Sequence, residues 1–422
     1  MHQLLIRFFS AGLRMATLLA KFALVLALAK FLPPADFGLY GLLFATVMFF
    51  LMALGFDFYT YAHRELIVTG QGQCAALIRN QAVVYLFSYA VLLPIGLLIF
   101  FAGYLPWTLA IWFFPILALE HIAQEFNRLL VAMSQQGWAS VVLFVRHGLW
   151  SLILVVWMYL SPVAQNLDWV LLAWTVGLLL ACILGLSRLW QLDRASLQDT
   201  VDWAWIRRGL KIAAPFLVAT LCLRALFTVD RYWIEAIAGL EVLAAYVLFF
   251  GMANAVFSVV DASVVSFLYP RLVRAVGQGD VAGYRKLTRS LTWQVVLTTA
   301  FFSLLALLLV HPLLQWLDRP IYSEHINFFY WLLAATGLFC ISMIPHVGLY
   351  ARRRDYSIVT AHILSLVIFG IVTGSLTPIL GPTAIPAGLL VAFLFLWAFK
   401  VTIIISDGLP TGDPSKHKVL QC

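Results

Sequence analysis

The chain has 422 residues, of which 63% are hydrophobic and 11% charged, and its formal net charge is +8. A soluble domain is nearer half apolar and a quarter charged. Apolar stretches of 18 or more residues recur here from end to end, so the composition excludes a soluble domain of any size and describes an all-α protein that crosses the membrane many times.

The N-terminal stretch is expected to be a retained first span. Arg14 and Lys21 interrupt the apolar core that a signal peptide needs, and no small-residue cleavage site precedes Leu32-Pro33-Pro34. In all, twelve spans are predicted, at about 10–32, 38–60, 80–102, 107–130, 140–160, 168–188, 212–236, 243–267, 290–311, 326–350, 357–377 and 384–405. Lys and Arg fall almost wholly on one side of them, as in Arg64, Arg79, Arg188, Arg207, Arg208, Arg271, Arg285 and Arg352–Arg354, while the opposite loops carry Asp36, Asp168, Glu241, Asp318 and Glu324. By the positive-inside rule both termini are cytoplasmic. The basic charge is therefore topology, and no nucleic-acid partner is expected.

The longest cytoplasmic connection separates six spans from six. The expected organisation is an N-lobe over 1–188, an interfacial linker over 189–211, a C-lobe over 212–405 and a cytoplasmic tail over 406–422. Trp203 and Trp205 beside Arg207 and Arg208 suit a linker lying at the headgroup level. The halves also match in one register. Gly70-Gln71-Gly72 and Gly277-Gln278-Gly279 lie 207 residues apart, as do Arg64 and Arg271, while Tyr40 and Tyr246 lie 206 apart. Since each half has six spans and begins in the cytoplasm, this predicts two six-helix lobes related by a pseudo-two-fold along the membrane normal, with the substrate site near the midplane.

Charges inside the spans cost roughly 2.5–3.5 kcal/mol each, so each needs a reason. The first span carries Arg14 and Lys21, and the seventh carries Arg224 and Arg231; each pair is spaced i, i+7 and forms one stripe about 10 Å long. Facing one cavity, the four cations would form a ladder across the membrane for an anionic substrate. The competing account is neutralisation or snorkelling, available to Arg14 at the inner end and to Arg231 through Glu235 at i+4, but poor for Lys21 and Arg224 near the midplane. In the fourth span Glu120 and His121 fall near the midplane, and His121 and Glu125 at i, i+4 could share a proton. The alternative is a set of structural ion pairs, with Glu120 or Glu125 balancing a cation of the first span. Asp230 either orients Arg231 or titrates during transport. Asp57, Asp261, Arg146, His346 and His362 read as ordinary interfacial placements.

Cys74, Cys182, Cys222, Cys340 and Cys422 show no metal-ligand spacing, so neither a metal site nor a disulfide framework is expected. The chain has no Walker loop, and its external loops are too short for a catalytic domain, so no cofactor and no catalytic residues are expected.

The run LPPADFGLYGL at the end of the first span, Gly55-Phe56-Asp57 near the end of the second, and Pro215 followed by Asp230-Arg231-Tyr232-Trp233-Ile234, Gly239 and Tyr246 resemble the bacterial polysaccharide (O-antigen type) flippases of the multidrug/oligosaccharidyl-lipid/polysaccharide exporter superfamily. The resemblance covers essentially the whole chain. It implies two six-helix bundles around a central cavity. It also implies translocation of an undecaprenyl-diphosphate-linked oligosaccharide across the bacterial inner membrane for surface polysaccharide (lipopolysaccharide O-antigen) synthesis, coupled to an H⁺ or Na⁺ gradient. Related peptidoglycan-precursor flippases carry two further C-terminal helices, and no span follows Lys400, which points to the polysaccharide branch. Membrane lipids and a polysaccharide polymerase or assembly protein are the partners this implies. The alternatives are a cation-coupled multidrug exporter of the same superfamily, which would want buried carboxylates where this chain has cations, and a membrane-embedded polymerase or ligase.

Overall fold

Proline and glycine decide where the helices of this chain end. The computed structural model describes residues 2–69, 74–190 and 200–408. Helix α1 (His2–Phe31) stops at Pro33, whose extended backbone delivers Pro34 to the first turn of α2 (Pro34–Gly55), where a missing N–H costs nothing. Phe56 and Asp57 both take left-handed backbone conformations, which break α2 from α3 (Tyr59–Thr69). Helices α4 (Cys74–Phe101), α5 (Ala110–Ala132), α6 (Gln136–Leu160) and α7 (Leu167–Leu189) follow, the last capped by the Asn166 side chain, which accepts from the Trp169 N–H at 3.2 Å. Gly239, at φ 82° and ψ 176°, divides one long helical run into α8 (203–238) and α9 (240–277). The chain ends with α10 (Val281–Leu317), the short α11 (Pro320–Glu324), α12 (Asn327–Ala351), α13 (Asp355–Leu380) and α14 (Ala384–Ser406).

Ten stretches are long and apolar enough to cross a membrane, and two of them, Trp203–Gly277 and Asp355–Ser406, are broken at Gly239 and Gly381. The described residues therefore form the twelve membrane helices that the sequence predicts. Several start earlier than expected; α10, for example, begins at Val281 and not near 290. Its first turns are rich in Arg and Lys, good helix formers that hydropathy does not count. Large apolar side chains such as Leu86, Phe87, Leu98, Phe301, Leu304 and Leu308 are exposed in numbers that only a lipid environment accommodates.

The chain forms two compact units, Met1–Tyr232 and Trp233–Cys422. In unit 1, α5 packs on α2 and α7, α1 on α6, and α3 on α4 and α5. Its core is aromatic: Phe113 meets Phe50 and Phe100 edge-on at 5.7 and 5.5 Å, and Trp150 stacks on Trp174. Gly177 lets α7 pass this stack, since a Cβ there would run into the Trp150 ring. In unit 2, α14 packs on α12 and α13, and Val260, Leu268, Leu272, Leu291, Val295 and Val347 fill the core among α9, α10 and α12.

The boundary between the units falls within α8, about twenty residues beyond the 189–211 linker at which the lobes are expected to divide. Residues 191–199 lie outside the described ones, but the flanking part explains the shift. Arg79 of α4 donates to the Thr200 carbonyl at 2.7 Å, and Asp202 caps α8 by accepting from the Trp205 N–H at 2.9 Å. Trp205 is then buried against Phe58 and Tyr61 at ring distances of 5.3 and 5.1 Å, and Gly209 lies so close that a Cβ would sit 2.5 Å from both of those rings. Of the two tryptophans expected at headgroup level, Trp203 is exposed and Trp205 is part of the unit 1 core.

The internal repeat has a counterpart in packing. In unit 1, Tyr40 stacks on Phe44 at 6.1 Å and 27° and abuts Trp174; in unit 2, Tyr246 stacks on Phe250 at 6.3 Å and 27° and abuts Phe328. Gly70-Gln71-Gly72 and the tail beyond residue 408 lie outside the described residues.

Candidate functional site

The predicted cations are all in unit 1, because the first half of the seventh membrane helix belongs to it. On α1, Arg14 and Lys21 are both exposed; on α8, Arg224 is exposed and Arg231 is 5% exposed. Lys21 lies within electrostatic reach of Arg146, Glu120 and Arg224, and Arg224 within reach of Arg231 and Asp57. Three of the four predicted cations thus form a connected series, Lys21–Arg224–Arg231. Arg14 shares the α1 stripe without joining that series. Among the described residues neither the Lys21 ammonium nor the Arg224 guanidinium has a hydrogen-bond or ion-pair partner.

Arg231 differs from those two. The fully buried carboxylate of Asp230 accepts from the Arg231 backbone N–H at 2.8 Å and from its Nη1 at 3.2 Å, and the same Nη1 donates to the Phe227 carbonyl. Asp230 therefore orients and compensates Arg231. Of the two carboxylates within reach in sequence, Asp230 and not Glu235 pairs with Arg231.

Glu120 explains why Lys21 stays open. Its buried carboxylate is paired with Arg146, through Nε at 2.7 Å and through Nη2, and it accepts from the Trp174 indole at 2.8 Å; His147 Nδ1 stands 3.9 Å away. Both guanidinium nitrogens converge on Oε2 and the indole takes Oε1, and hydrogen bonds between ionised partners are the stronger kind. Glu120 is thus consumed by α6, not by a cation of α1. Arg146 is the residue that sequence reasoning misses. A span beginning near 140 makes it interfacial, whereas α6 begins at Gln136, so Arg146 is ten residues, or about 15 Å, into the helix. It also sits in a π-helical turn, Val145–Leu149, which rotates the positions after it away from simple 3.6-residue periodicity.

The second carboxylate of α5 is equally engaged. Glu125 accepts from Arg128 at 2.6 Å, Tyr85 at 2.6 Å and Gln81 at 2.9 Å, and the Arg128 guanidinium lies 3.6 Å over the Tyr59 ring. The His121–Glu125 hydrogen bond that their spacing allows is not formed, and Glu125 is held in an ion pair. His121 Nδ1 bonds the Tyr89 hydroxyl at 2.9 Å, its ring meets the Tyr85 ring edge-on at 4.6 Å, and its Nε2 is buried with no hydrogen-bond partner. Helical spacing brings His121 and Glu125 to one face, but the Tyr85 hydroxyl takes the carboxylate.

Asp57, in the left-handed turn after α2, accepts from Thr220 of α8 at 2.6 Å. Burial lifts its carboxyl above the ordinary aspartate value, against the pull of the Thr220 hydrogen bond and of the Arg128 and Arg224 charges. Nearby, burial holds the His63 imidazole down to about 4. Counting Lys21, Arg224, Arg146 and Glu120 together, the neighbourhood of Lys21 carries a formal charge of two positive. The buried Arg146–Glu120 pair cancels, so both charges belong to the exposed Lys21 and Arg224.

A helical membrane protein with this element order has the fold of the MATE transporters. It is similar to the inward-facing conformation of a multidrug resistance MATE family transporter of the MOP superfamily (TM-score 0.73, 12% identity, covering 94% of this chain and 98% of that one). It is also similar to the MATE multidrug transporter DinF-BH (TM-score 0.66, 17% identity, 96% and 95% covered) and to a mutant of the Vibrio cholerae MATE transporter VcmN (TM-score 0.61, 14% identity, 94% and 97% covered). No curated protein matches the chain significantly. The family model described as polysaccharide biosynthesis protein matches residues 8–276, and the chain belongs to that family.

Proposed function

We propose that this protein is a flippase that moves an undecaprenyl-diphosphate-linked oligosaccharide across the bacterial inner membrane for surface polysaccharide assembly, driven by a cation gradient. One observation carries the reading: Lys21 and Arg224 stand exposed on membrane helices, within electrostatic reach of each other and without a direct partner among the described residues. Unpaired cations at that depth are costly unless a ligand compensates them. A diphosphate with about two negative charges meets the ammonium and guanidinium groups by charge-assisted hydrogen bonding and Coulomb attraction. Arg14 extends the cationic stripe along α1, and Arg231, held by Asp230, adds a fixed positive group behind Arg224. All of these residues fall within the part of the chain that matches the family model.

The reading has both termini in the cytoplasm, where the Lys and Arg clusters fall. It needs no covalent chemistry, so no residue is assigned a catalytic role. The unit 1 candidates for coupling to H⁺ or Na⁺ remain Glu120, His121, Glu125 and Asp230. His121 is the best placed of them, since its buried Nε2 has no hydrogen-bond partner while the three carboxylates are each paired with an arginine. A polymerase or assembly protein would receive the flipped repeat unit. A multidrug exporter of the same fold would meet the opposite electrostatics, because exposed lysine and arginine repel a cationic drug.

The experiment is replacement of Lys21 or Arg224 by Ala in the native host, with lipid-linked sugars and surface polysaccharide measured at equal protein level. Each variant is expected to lose surface polysaccharide and to accumulate lipid-linked repeat units on the cytoplasmic face. Normal export in both would refute the diphosphate site.

A further inference from the structure

Unit 2 holds a cluster of nitrogen bases for which a diphosphate site has no use. Lys400 of α14 is 1% exposed and ranks among the largest fully buried side chains. Its Nζ lies 3.5 Å from Nε2 of His362 on α13. The His362 ring is stacked on that of His346 of α12, with centroids 6.0 Å apart and planes within 8°. Nδ1 of His346 is buried and has no hydrogen-bond partner. Each of three mutually packed helices thus supplies one base to the same buried place.

Asp261 of α9 lies within electrostatic reach of Cys340 on α12 but is not among the groups that act on His346 or Lys400. Lys400 and His362 are the charged groups that act on His346, and no carboxylate among the described residues pairs with Lys400. At the end of α14, Asp407 is paired with Arg354 at 2.7 Å. Asp355 begins α13 two turns before His362, about 10 Å along the axis. Arg352, just past α12, donates to the Gly408 carbonyl at 2.8 Å and to the Tyr284 hydroxyl of α10 at 3.1 Å. Cys340, on α12 six residues before His346, is buried and carries no charge as a thiol.

A buried ammonium is ordinarily paired with a carboxylate or gives up its proton. Here its neighbour is an imidazole nitrogen, so amine and imidazole compete for one proton, and the second imidazole offers a further lone pair. Two charged groups at these separations would repel without a counter-ion, which limits the cluster to exchanging protons singly. Sodium has no place in it, because hard cations take oxygen ligands and this cluster presents nitrogen bases. We infer that Lys400, His362 and His346 form a proton-binding site in unit 2, and that a proton carried there is the coupling ion of transport. The second half of that statement rests on the flippase reading; the first does not. Binding adds one proton from water to a nitrogen lone pair and returns it to water on release, with no other bond changed.

The full-length protein, purified in detergent, should be unfolded thermally between pH 5 and 9 as wild type, Lys400→Met and His362→Gln, the second variant keeping the side chain polar should the first fail to fold. An inflection in the wild-type profile is expected, absent in K400M and displaced by about one pH unit or more in H362Q. Profiles that differ from wild type only by a constant offset would overturn the proton site. In vesicles containing undecaprenyl-diphosphate oligosaccharide, a pH gradient should stimulate wild-type flipping several-fold and K400M flipping about one-fold, with a sodium gradient inert for both. Loss of the inflection together with full pH-gradient stimulation in K400M would overturn the coupling role. No flipping by the wild type, with the inflection lost in the variants, would sustain the proton site and remove the flippase reading.

Discussion

Replacing Glu120 by Gln tests whether the pair beneath Lys21 is organised as the structure has it. Glu120 is fully buried, and its carboxylate accepts from Arg146 through two nitrogens and from Trp174. The amide keeps the shape and the indole bond but leaves a buried guanidinium without its counter-charge. Breaking a buried pair from one side costs about 3–5 kcal/mol. At about 2–4 °C per kcal/mol for a unit the size of Met1–Tyr232, that is a fall in Tm of about 6–20 °C. Arg146→Met should cost about as much, because it strands the carboxylate. The double variant removes both charges, and a buried pair exchanged for uncharged groups of similar volume is often near neutral, so most of the loss should be recovered. The assay is thermal unfolding of the four proteins in one detergent at pH 7. Additive losses in the double variant would refute the pairing, and with it the argument that Lys21 is left without a carboxylate. The single variants should also differ in function. E120Q raises the formal charge around Lys21 and R146M lowers it, so at equal protein level E120Q should hold the diphosphate more tightly and R146M more weakly in a direct binding measurement.

Asp57→Asn mimics the protonated carboxyl that burial favours. Because the folded carboxyl is raised, the stability it contributes is present below the ordinary aspartate value and lost as pH rises through the folded one. The variant should therefore flatten the acid end of the Tm–pH profile and be no less stable than wild type at pH 7; a large loss at pH 7 would mean that the charge itself is needed. Gly239→Ala places a side chain at φ 82°, where only glycine is at ease, and should cost about 1–3 kcal/mol by thermal unfolding; an unchanged Tm would speak against that break between α8 and α9. Tyr85→Phe removes one of the three donors to Glu125 and should cost about 1–3 kcal/mol, whereas a Tm equal to wild type would show that hydroxyl to be dispensable.

The positions of the twelve membrane helices are legible because hydropathy reports how long the chain stays in lipid. The placement of Lys21 and Arg224 within the first and seventh spans follows from counting residues, and Tyr40 and Tyr246 reveal a repeat whose ring stacks agree to the degree. What cannot be read is direction around a helix axis across long separations. Glu120 meets Arg146 twenty-six residues on, Asp57 meets Thr220 on another helix, and His121 turns to Tyr89 instead of Glu125. The π turn at Val145–Leu149 makes the first of these beyond any rule of fixed period. Lys400 escapes notice because it falls in the last two turns of an otherwise apolar run, where a lysine usually reaches the headgroups; only its burial beside the histidines shows that it turns inward. The unit boundary inside α8 is hidden for a similar reason: aromatic contacts of Trp205 with Phe58 and Tyr61 override the longest polar connection in the chain.

The two units keep the same aromatic stack but not the same charges. Unit 1 pairs Glu120, Glu125 and Asp230 with arginines, leaving Lys21 and Arg224 exposed; unit 2 buries a lysine among histidines with no carboxylate paired to it among the described residues. A duplicated scaffold tolerates this because packing repeats need only shape, whereas charges can be placed singly. The consequence for coupling is thermodynamic. If the anion site and the proton site each favour a different conformation of the chain, occupancy of one weakens the other by the same factor, whatever lies between them. Driving an otherwise even two-state equilibrium to 99:1 needs a differential affinity of about a hundredfold, within the range of one buried proton whose cluster changes its surroundings between states. Measured diphosphate affinity at fixed salt should therefore change with pH in the wild type and lose that dependence in Lys400→Met. An affinity that changes with pH equally in both proteins would separate the two sites and assign the pH dependence to unit 1, where His63, His121 and His147 are groups able to supply it.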